Sequence, residues 1–78
     1  MRTKRAESKL AGFLLDFSQR LAARGDDPTS FRLPMARVDI ANHLGLSAAA
    51  VGRGFSRLSK RRMATARGRT IRLRNVAD

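Results

Sequence analysis

Cysteine, tryptophan and tyrosine are absent from the 78-residue chain, and acidic residues are scarce, six Asp and Glu against 17 Lys and Arg. Without cysteine there are no disulfides, no thiolate chemistry and no Cys-based zinc site, so a reduced, cytoplasmic setting is the default expectation. One histidine and six scattered carboxylates supply neither a nucleophile–base pair nor a metal-ligand cluster. No enzyme, metal or cofactor is therefore expected. No apolar run approaches the roughly 18 residues that span a bilayer, so no membrane partner is expected. Nor is the basic N-terminus followed by the apolar stretch and cleavage site of a signal peptide. The length suits one small domain over 1–78 that buries only about 60% of its unfolded surface.

What the chain does hold is positive charge, unevenly placed. Residues 1–25 are net +4 and residues 26–46 net −1, while residues 47–78 are net +8. The last third carries seven arginines and one lysine between Arg57 and Arg74. A solvated face usually mixes signs; this one hardly does, and it suits a polyanion.

The apolar residues sort into elements. Leu10, Phe13, Leu14, Phe17 and Leu21 recur at i, i+3, i+4, i+7 and i+11, the stripe of an amphipathic helix over 6–24 that Gly25 and "DDP" end. Residues 1–5 are expected to be disordered and 75–78 a frayed tail. "FRLP" reads as a short edge strand with Phe31 and Leu33 on one face, ended by Pro34. A second helix over 36–44 turns Ile40, Ala41 and Leu44 inward, and Gly45 breaks it. Ser47 caps a third helix over 48–61, with Val51, Phe55 and Leu58 inward. Its opposite face presents Ala49, Gly52, Arg53, Ser56 and Lys60. Finally, residues 63–66 and 70–74 alternate around Arg67-Gly68 as a hairpin, with Ile71 and Leu73 on one side and Arg72 and Arg74 on the other.

Two short helices around a glycine turn, the second with a basic outer face, form a helix-turn-helix, and the hairpin after them makes it a winged one. The expected fold is mainly α with a small antiparallel sheet (α+β), three helices plus a C-terminal β-hairpin wing. His43 lacks a metal partner and is assigned to the helix surface. Asp26-Asp27 before Pro28 is assigned to a turn. Met35 and Met63 are expected to fill gaps in the core. The four phenylalanines all fall on inward faces, which leaves no aromatic to stack on a single-stranded base.

The stretches "FLLDFSQRLAARG", "FRLPMARVDIANHLGLS", "VGR" at 51–53, "SRL" at 56–58 and "ARGRTIRL" at 66–73 span nearly the whole chain. Through them it resembles the C-terminal DNA-binding domain of the Crp–Fnr family of bacterial transcription regulators. The resemblance implies that the third helix enters the major groove of double-stranded DNA and that the wing touches the backbone. Arg53 matches the family arginine that reaches a base edge, typically guanine. Where the family places a glutamate accepting from cytosine, this chain has Ala49. Ala48 and Ala50 replace a polar or basic residue and a threonine, Gly54 a large apolar residue, and Ala36 the Ser or Thr cap of the second helix.

The expected base readers are Arg53, Ala49, Ala48 and Gly52. An alanine can meet a thymine methyl, and Gly52 lets the backbone come close. For the DNA backbone, Arg37, Arg67 and Arg69 match family positions. Arg57 and Lys60 follow from helical phase, and Ser47 and Ala50 at the helix start complete the set. No segment matches the family's sensor domain or long dimerisation helix. The chain alone is expected to be monomeric, and a dimer if that helix is supplied; RNA polymerase would be a partner of a full-length regulator. Two other readings stay open at this point. One is a basic RNA-binding or ribosome-associated domain, which would want exposed aromatics or a sheet platform. The other is a winged helix that grips another protein, which would want an exposed apolar patch on the third helix.

Overall fold

The computed structural model describes residues 2–74, with side chains from Arg5 onward. The elements follow as α1 Arg2–Ala23, β1 Ser30–Arg32, α2 Arg37–Leu44, α3 Ala48–Lys60, β2 Ala64–Arg67 and β3 Thr70–Leu73. This is the expected winged helix-turn-helix of three helices and a small antiparallel sheet. α1 starts at Arg2 rather than at residue 6, so residues 2–5, expected to be disordered, are helical. The cause is local: "RTKRAESK" contains no helix breaker and is rich in Ala, Lys, Arg and Glu, which favour helix. Met1 and the tail expected at 75–78 lie outside the described residues.

The helix ends follow one hydrogen-bond scheme. After α2, Gly45 N–H reaches Asn42 O at 3.4 Å and Leu46 N–H reaches Ala41 O at 2.8 Å. Gly45 itself is left-handed, at φ 70° and ψ 34°. That is a Schellman stop, and it sets the angle at which α3 leaves α2. α3 stops in the same way, with Arg62 N–H on Ser59 O at 3.0 Å and Met63 N–H on Leu58 O at 2.9 Å. There the left-handed residue is Arg62, at φ 58°. A side chain in that region costs about 1 kcal/mol that glycine would not. The turn also corrects one expectation. Met63, assigned to the core, is 45% exposed, because Arg62 swings the chain outward so that the Met63 carbonyl can accept from Arg74 N–H at 2.9 Å.

Ser47 caps α3 as expected, its Oγ accepting from Ala50 N–H at 3.1 Å. Ala36 offers α2 no side-chain oxygen, but the Asp39 carboxylate reaches back to accept from Ala36 N–H at 3.4 Å. Half of a capping box therefore survives the missing hydroxyl.

The sheet runs in the order β1-β3-β2, antiparallel throughout. Residue alternation predicts a hairpin of 63–66 with 70–74; its paired residues are 64–67 with 70–73. Pro34 is the expected end of β1, which stops at Arg32, though the ladder direction continues with Leu33 N–H on Arg69 O at 2.8 Å. Phe31, Ile71 and Ala66 form one inward row across the strands. Below them one core joins Leu10 and Leu14 of α1, Ile40 and Ala41 of α2, and Val51, Phe55 and Leu58 of α3 to Leu33, Ala64, Ile71 and Leu73. Phe55 is buried, whereas Phe13, Phe17 and Phe31 are half-buried at its margin. Each fully buried Leu or Ile contributes about 1.5–3 kcal/mol.

The α1 stripe extends further than its apolar spacing suggested. Ala6, Glu7 and Ser18 are buried as well. Ser18 Oγ donates to Pro28 O at 2.6 Å, which ties the "DDP" turn to the helix. Glu7 meets Arg61 at 3.2 Å, beside the end of α3. Between these points α1 crosses α3 so closely that a Cβ on Gly54 would lie 3.1 Å from Leu10 Cδ2. Leu10 is fully buried in the core.

The two glycines of α3 should respond oppositely to alanine. Gly52→Ala, which would meet nothing within 4 Å, should raise stability by up to about 1 kcal/mol through helix propensity. Gly54→Ala should lower it by about 1 kcal/mol, because overpacking against Leu10 outweighs the same propensity gain. Chemical denaturation of both variants beside the parent checks this; equal stabilisation would mean that the α1–α3 crossing can open.

Candidate nucleic-acid interface

With Val51, Phe55 and Leu58 buried, α3 has to show its other side to solvent. Ala48, Ala49, Arg53, Ser56, Arg57 and Lys60 are exposed, and Ala50 and Gly52 are half-buried. Small residues thus occupy the first turns of the face, and every long side chain on it is basic.

A hollow runs along each flank. On the wing side, a 590 Å³ groove brings Gly52, Ser56 and Lys60 of α3 together with Arg37 of α2 and Thr65 and Arg67 of the wing. Arg37 is held in place there, its guanidinium 4.6 Å from the centre of the Phe55 ring, a cation–π contact that fixes the direction of the charge. On the α1 side, a 350 Å³ hollow is lined by Arg53 and Ala50 together with Gly45, Arg5 and Lys9. By helical phase Arg57 shares this flank, four residues beyond Arg53. Lys9 also donates to Leu44 O at 3.1 Å, so it closes the end of α2 as well as charging the hollow.

The wing tip is the two-residue turn Gly68–Arg69 between β2 and β3. Gly68 has φ 60°, and Arg69 is not among the residues with positive φ. Glycine first in a hairpin turn of that sign matches the right-handed twist of the strands. It leaves Arg67 and Arg69 exposed at the tip, while the Arg69 carbonyl, accepting from Leu33 N–H, braces the tip against the chain after β1.

No carboxylate among the described residues neutralises the charges on this surface. Among the described residues the ion pairs are Asp16–Arg20, Asp26–Arg24 and Glu7–Arg61. None involves Arg37, Arg53, Arg57, Lys60, Arg67 or Arg69. Arg61, part of the same basic run in sequence, is spent on Glu7 and serves the fold. No group of three or more His, Cys, Asp or Glu that could hold a metal occurs among the described residues, and no described helix is long and apolar enough to cross a membrane.

Residues that sequence reading assigned to the interface therefore fall into two neighbourhoods: Arg37, Gly52, Lys60 and Arg67 on one flank of α3, and Ala50 and Arg53 on the other. Ser47, Ala48 and Ala49 stand at the start of the helix between them. Arg5 and Lys9 were missed. Their i, i+4 spacing was visible, but it carries meaning only once α1 is known to begin before residue 6.

Comparison with known proteins agrees with this geometry. The family model of the Crp-like helix-turn-helix domain matches residues 8–78. The fumarate and nitrate reduction regulatory protein of Escherichia coli is 42% identical over 72 residues, covering 92% of this chain and 29% of its own length. The transcriptional activator protein FnrA of Stutzerimonas stutzeri is 40% identical over 70 residues, covering 90% of this chain and 29% of its own. The solved structure of FixK2 from Bradyrhizobium japonicum superimposes with a TM-score of 0.77 at 36% identity, over 92% of this chain and 35% of that one. The chain thus spans only 29% of the two curated regulators and 35% of the solved FixK2 chain. With its fold, its basic α3 face and this match along most of its length, the chain belongs to the Crp-like helix-turn-helix family.

Proposed function

We propose that this DNA-binding domain of a bacterial transcription regulator docks with α3 in the major groove and the Gly68 wing on the adjoining phosphates. The observation that carries this is the α3 face itself: small residues at its start, with uncompensated bases on both flanks. A major groove about 12 Å wide admits one helix, and a helix whose leading side chains are alanines can sit close to its floor. Ala48 and Ala49 then offer methyl contacts to thymine, Gly52 lets the backbone approach, and Arg53 is the side chain able to make a bidentate contact with guanine.

Arg37, Arg57, Lys60, Arg67 and Arg69 take phosphates. Ser47 can join them: its Oγ accepts from Ala50 N–H, which leaves the hydroxyl proton free to donate. The Ala50 N–H is thereby used, so Ala50 contributes van der Waals contact only. Arg5 joins the set from α1. Readout by one arginine and a few methyls fixes fewer bases than a helix carrying several polar readers.

The chain acts as a binding module in the cytoplasm and not as an enzyme. An RNA-reading role lacks an aromatic platform, because the only aromatics are four phenylalanines that pack in or against the core. A purely protein-gripping role lacks an apolar patch on α3, whose exposed residues are Ala, Arg, Ser and Lys. Dimer formation and contact with RNA polymerase belong to a longer regulator. By itself the domain is a monomer that holds one half-site weakly, since a second module is what adds effective concentration. Sedimentation without DNA should give a single-chain mass, and a tight dimer would contradict this.

Duplexes selected from a random pool supply the target for two further measurements. Arg53→Ala should weaken binding by about 1–3 kcal/mol at one guanine and relax the preference there. An equal loss on every sequence would make Arg53 a phosphate contact.

The slope of log K against log salt tests the backbone set. The six basic phosphate contacts, Arg5 included, give a slope of about −5, at roughly −0.9 each. Removing Arg67 and Arg69 together should flatten the slope by about 2 and weaken all duplexes alike, with base preference intact. If affinity fell at unchanged slope, the wing would not be on the backbone.

A further inference from the structure

The strand register builds a second basic surface, on the side of the sheet facing away from the core. Residues directly opposite in antiparallel strands share a face. Ser30, Arg72 and Thr65 therefore form one outward row, and Arg32, Thr70 and Arg67 the next. Arg32, Arg67, Thr70 and Arg72 are exposed, and Ser30 and Thr65 half-buried. These two rows contain three guanidinium groups, three hydroxyls and no carboxylate. The carboxylate that feels the charge of Arg72, Asp27, is turned to Thr29, accepting from its N–H at 2.8 Å and its hydroxyl at 2.7 Å. Among the described residues, Arg32 and Arg72 make no ion pair.

This face is continuous with the interface above. Thr65 and Arg67 line the groove beside α3, and with Thr70 and Arg72 they also line a 320 Å³ hollow over the outer side of the sheet. β2 is the sheet edge that separates the two, so a polyanion seated against α3 and Arg67 meets the outer rows where it rounds that edge.

We propose that the outer face of the sheet, through Arg32 and Arg72 with Ser30 and Thr70, is a second binding surface for the phosphate backbone of duplex DNA. The arginines supply charge and paired donors, and the hydroxyls supply donors between them. Arg32 and Arg67, two strands apart, are separated by about 10 Å. The surface holds phosphates beyond those that α3 and the wing tip engage, so it adds affinity without reading bases. The phosphates are those of the same duplex beyond the half-site, because the outer rows are continuous with the α3 groove through Thr65 and Arg67. The inference rests on α3 and the wing docking on DNA as proposed above.

The full chain is compared with the Arg32→Thr, Arg72→Thr double variant, which keeps side chains that favour a strand; unchanged thermal unfolding confirms its fold. Each is titrated with a duplex ending at the selected half-site and with one extended by about two helical turns on either side. The parent should bind the extended duplex about tenfold more tightly, and the variant should lose that gain while matching the parent on the short duplex within about twofold. On the extended duplex the salt slope should fall by about 2. A complex of one chain with two short duplexes in sedimentation, abolished in the variant, would make the occupant a second duplex and overturn the proposal. An extended-duplex gain that survives in the variant, or that is absent from the parent, would overturn it too. Equal weakening of short and extended duplexes would do so too, by making these arginines half-site contacts. A parent that binds extended duplexes through Arg32 and Arg72 but shows no preference for the selected site would count against the α3 docking and leave the sheet surface standing.

Discussion

The crossing of α1 over α3 is the constraint on which the rest of the molecule depends. Leu10 fills the space that a Cβ on Gly54 would need, and one helical turn earlier Glu7 pairs with Arg61 beside the end of α3. A buried carboxylate is tolerable only when paired, and removing either partner would leave the other uncompensated. Steric fit and charge thus fix both the distance and the rotation of α3 relative to α1. That rotation decides which residues reach solvent. If α3 turned by one position, Arg53 would leave the exposed face and a core residue would enter it. The readable surface is a consequence of how the opposite side of the helix packs.

The positive charge divides into parts with different work. Arg20 and Arg24 sit in exposed ion pairs with Asp16 and Asp26, which are worth little in water. Arg61 is committed to the crossing, and Arg37 is aimed by the Phe55 ring beneath it. Arg53, Arg57, Lys60, Arg67, Arg69, Arg32 and Arg72 stand on the flanks of α3, the wing tip and the outer side of the sheet without a carboxylate partner among the described residues. A domain of this size with so much unpaired charge repels itself, and a polyanion relieves that repulsion. Fold and partner are therefore linked through electrostatics as well as shape.

The turn residues show how local chemistry and global packing cooperate. Gly45 can be read from its place between two apolar helical patterns, and its left-handed backbone does what such a glycine is for. Arg62 could not be read in that way, because nothing in "SKRRMATA" announces a left-handed arginine. It is imposed from outside: Leu58 has to stay in the core while Met63 and Arg74 close the mouth of the hairpin, and only a sharp stop at residue 62 satisfies both. The exposure of Met63 follows from the same demand. A third strand was legible at Phe31 and Leu33, but its pairing with β3 was not, since the partner lies some forty residues on and residue alternation does not name a neighbour.

The sequence by itself determined the elements whose causes are local: the apolar stripe of α1, the glycine between α2 and α3, the Ser47 cap, the alternation of the wing, and the concentration of arginine near the C-terminus. From the same residues came the assignment of the exposed α3 face and most of the basic set around it. Tertiary structure alone decided which charges are free and which are spent, that Arg5 and Lys9 stand beside Arg53, and that Asp39 makes up in part for a missing cap. It also decided that Gly54 is a point of closest approach and that Arg32, Arg67 and Arg72 share one face across three strands. The reason is range. Helix periodicity, caps and turns are settled by neighbours within a few residues, whereas ion pairing, close packing and strand register join residues far apart in the chain, and only the closed core brings them to hydrogen-bonding distance.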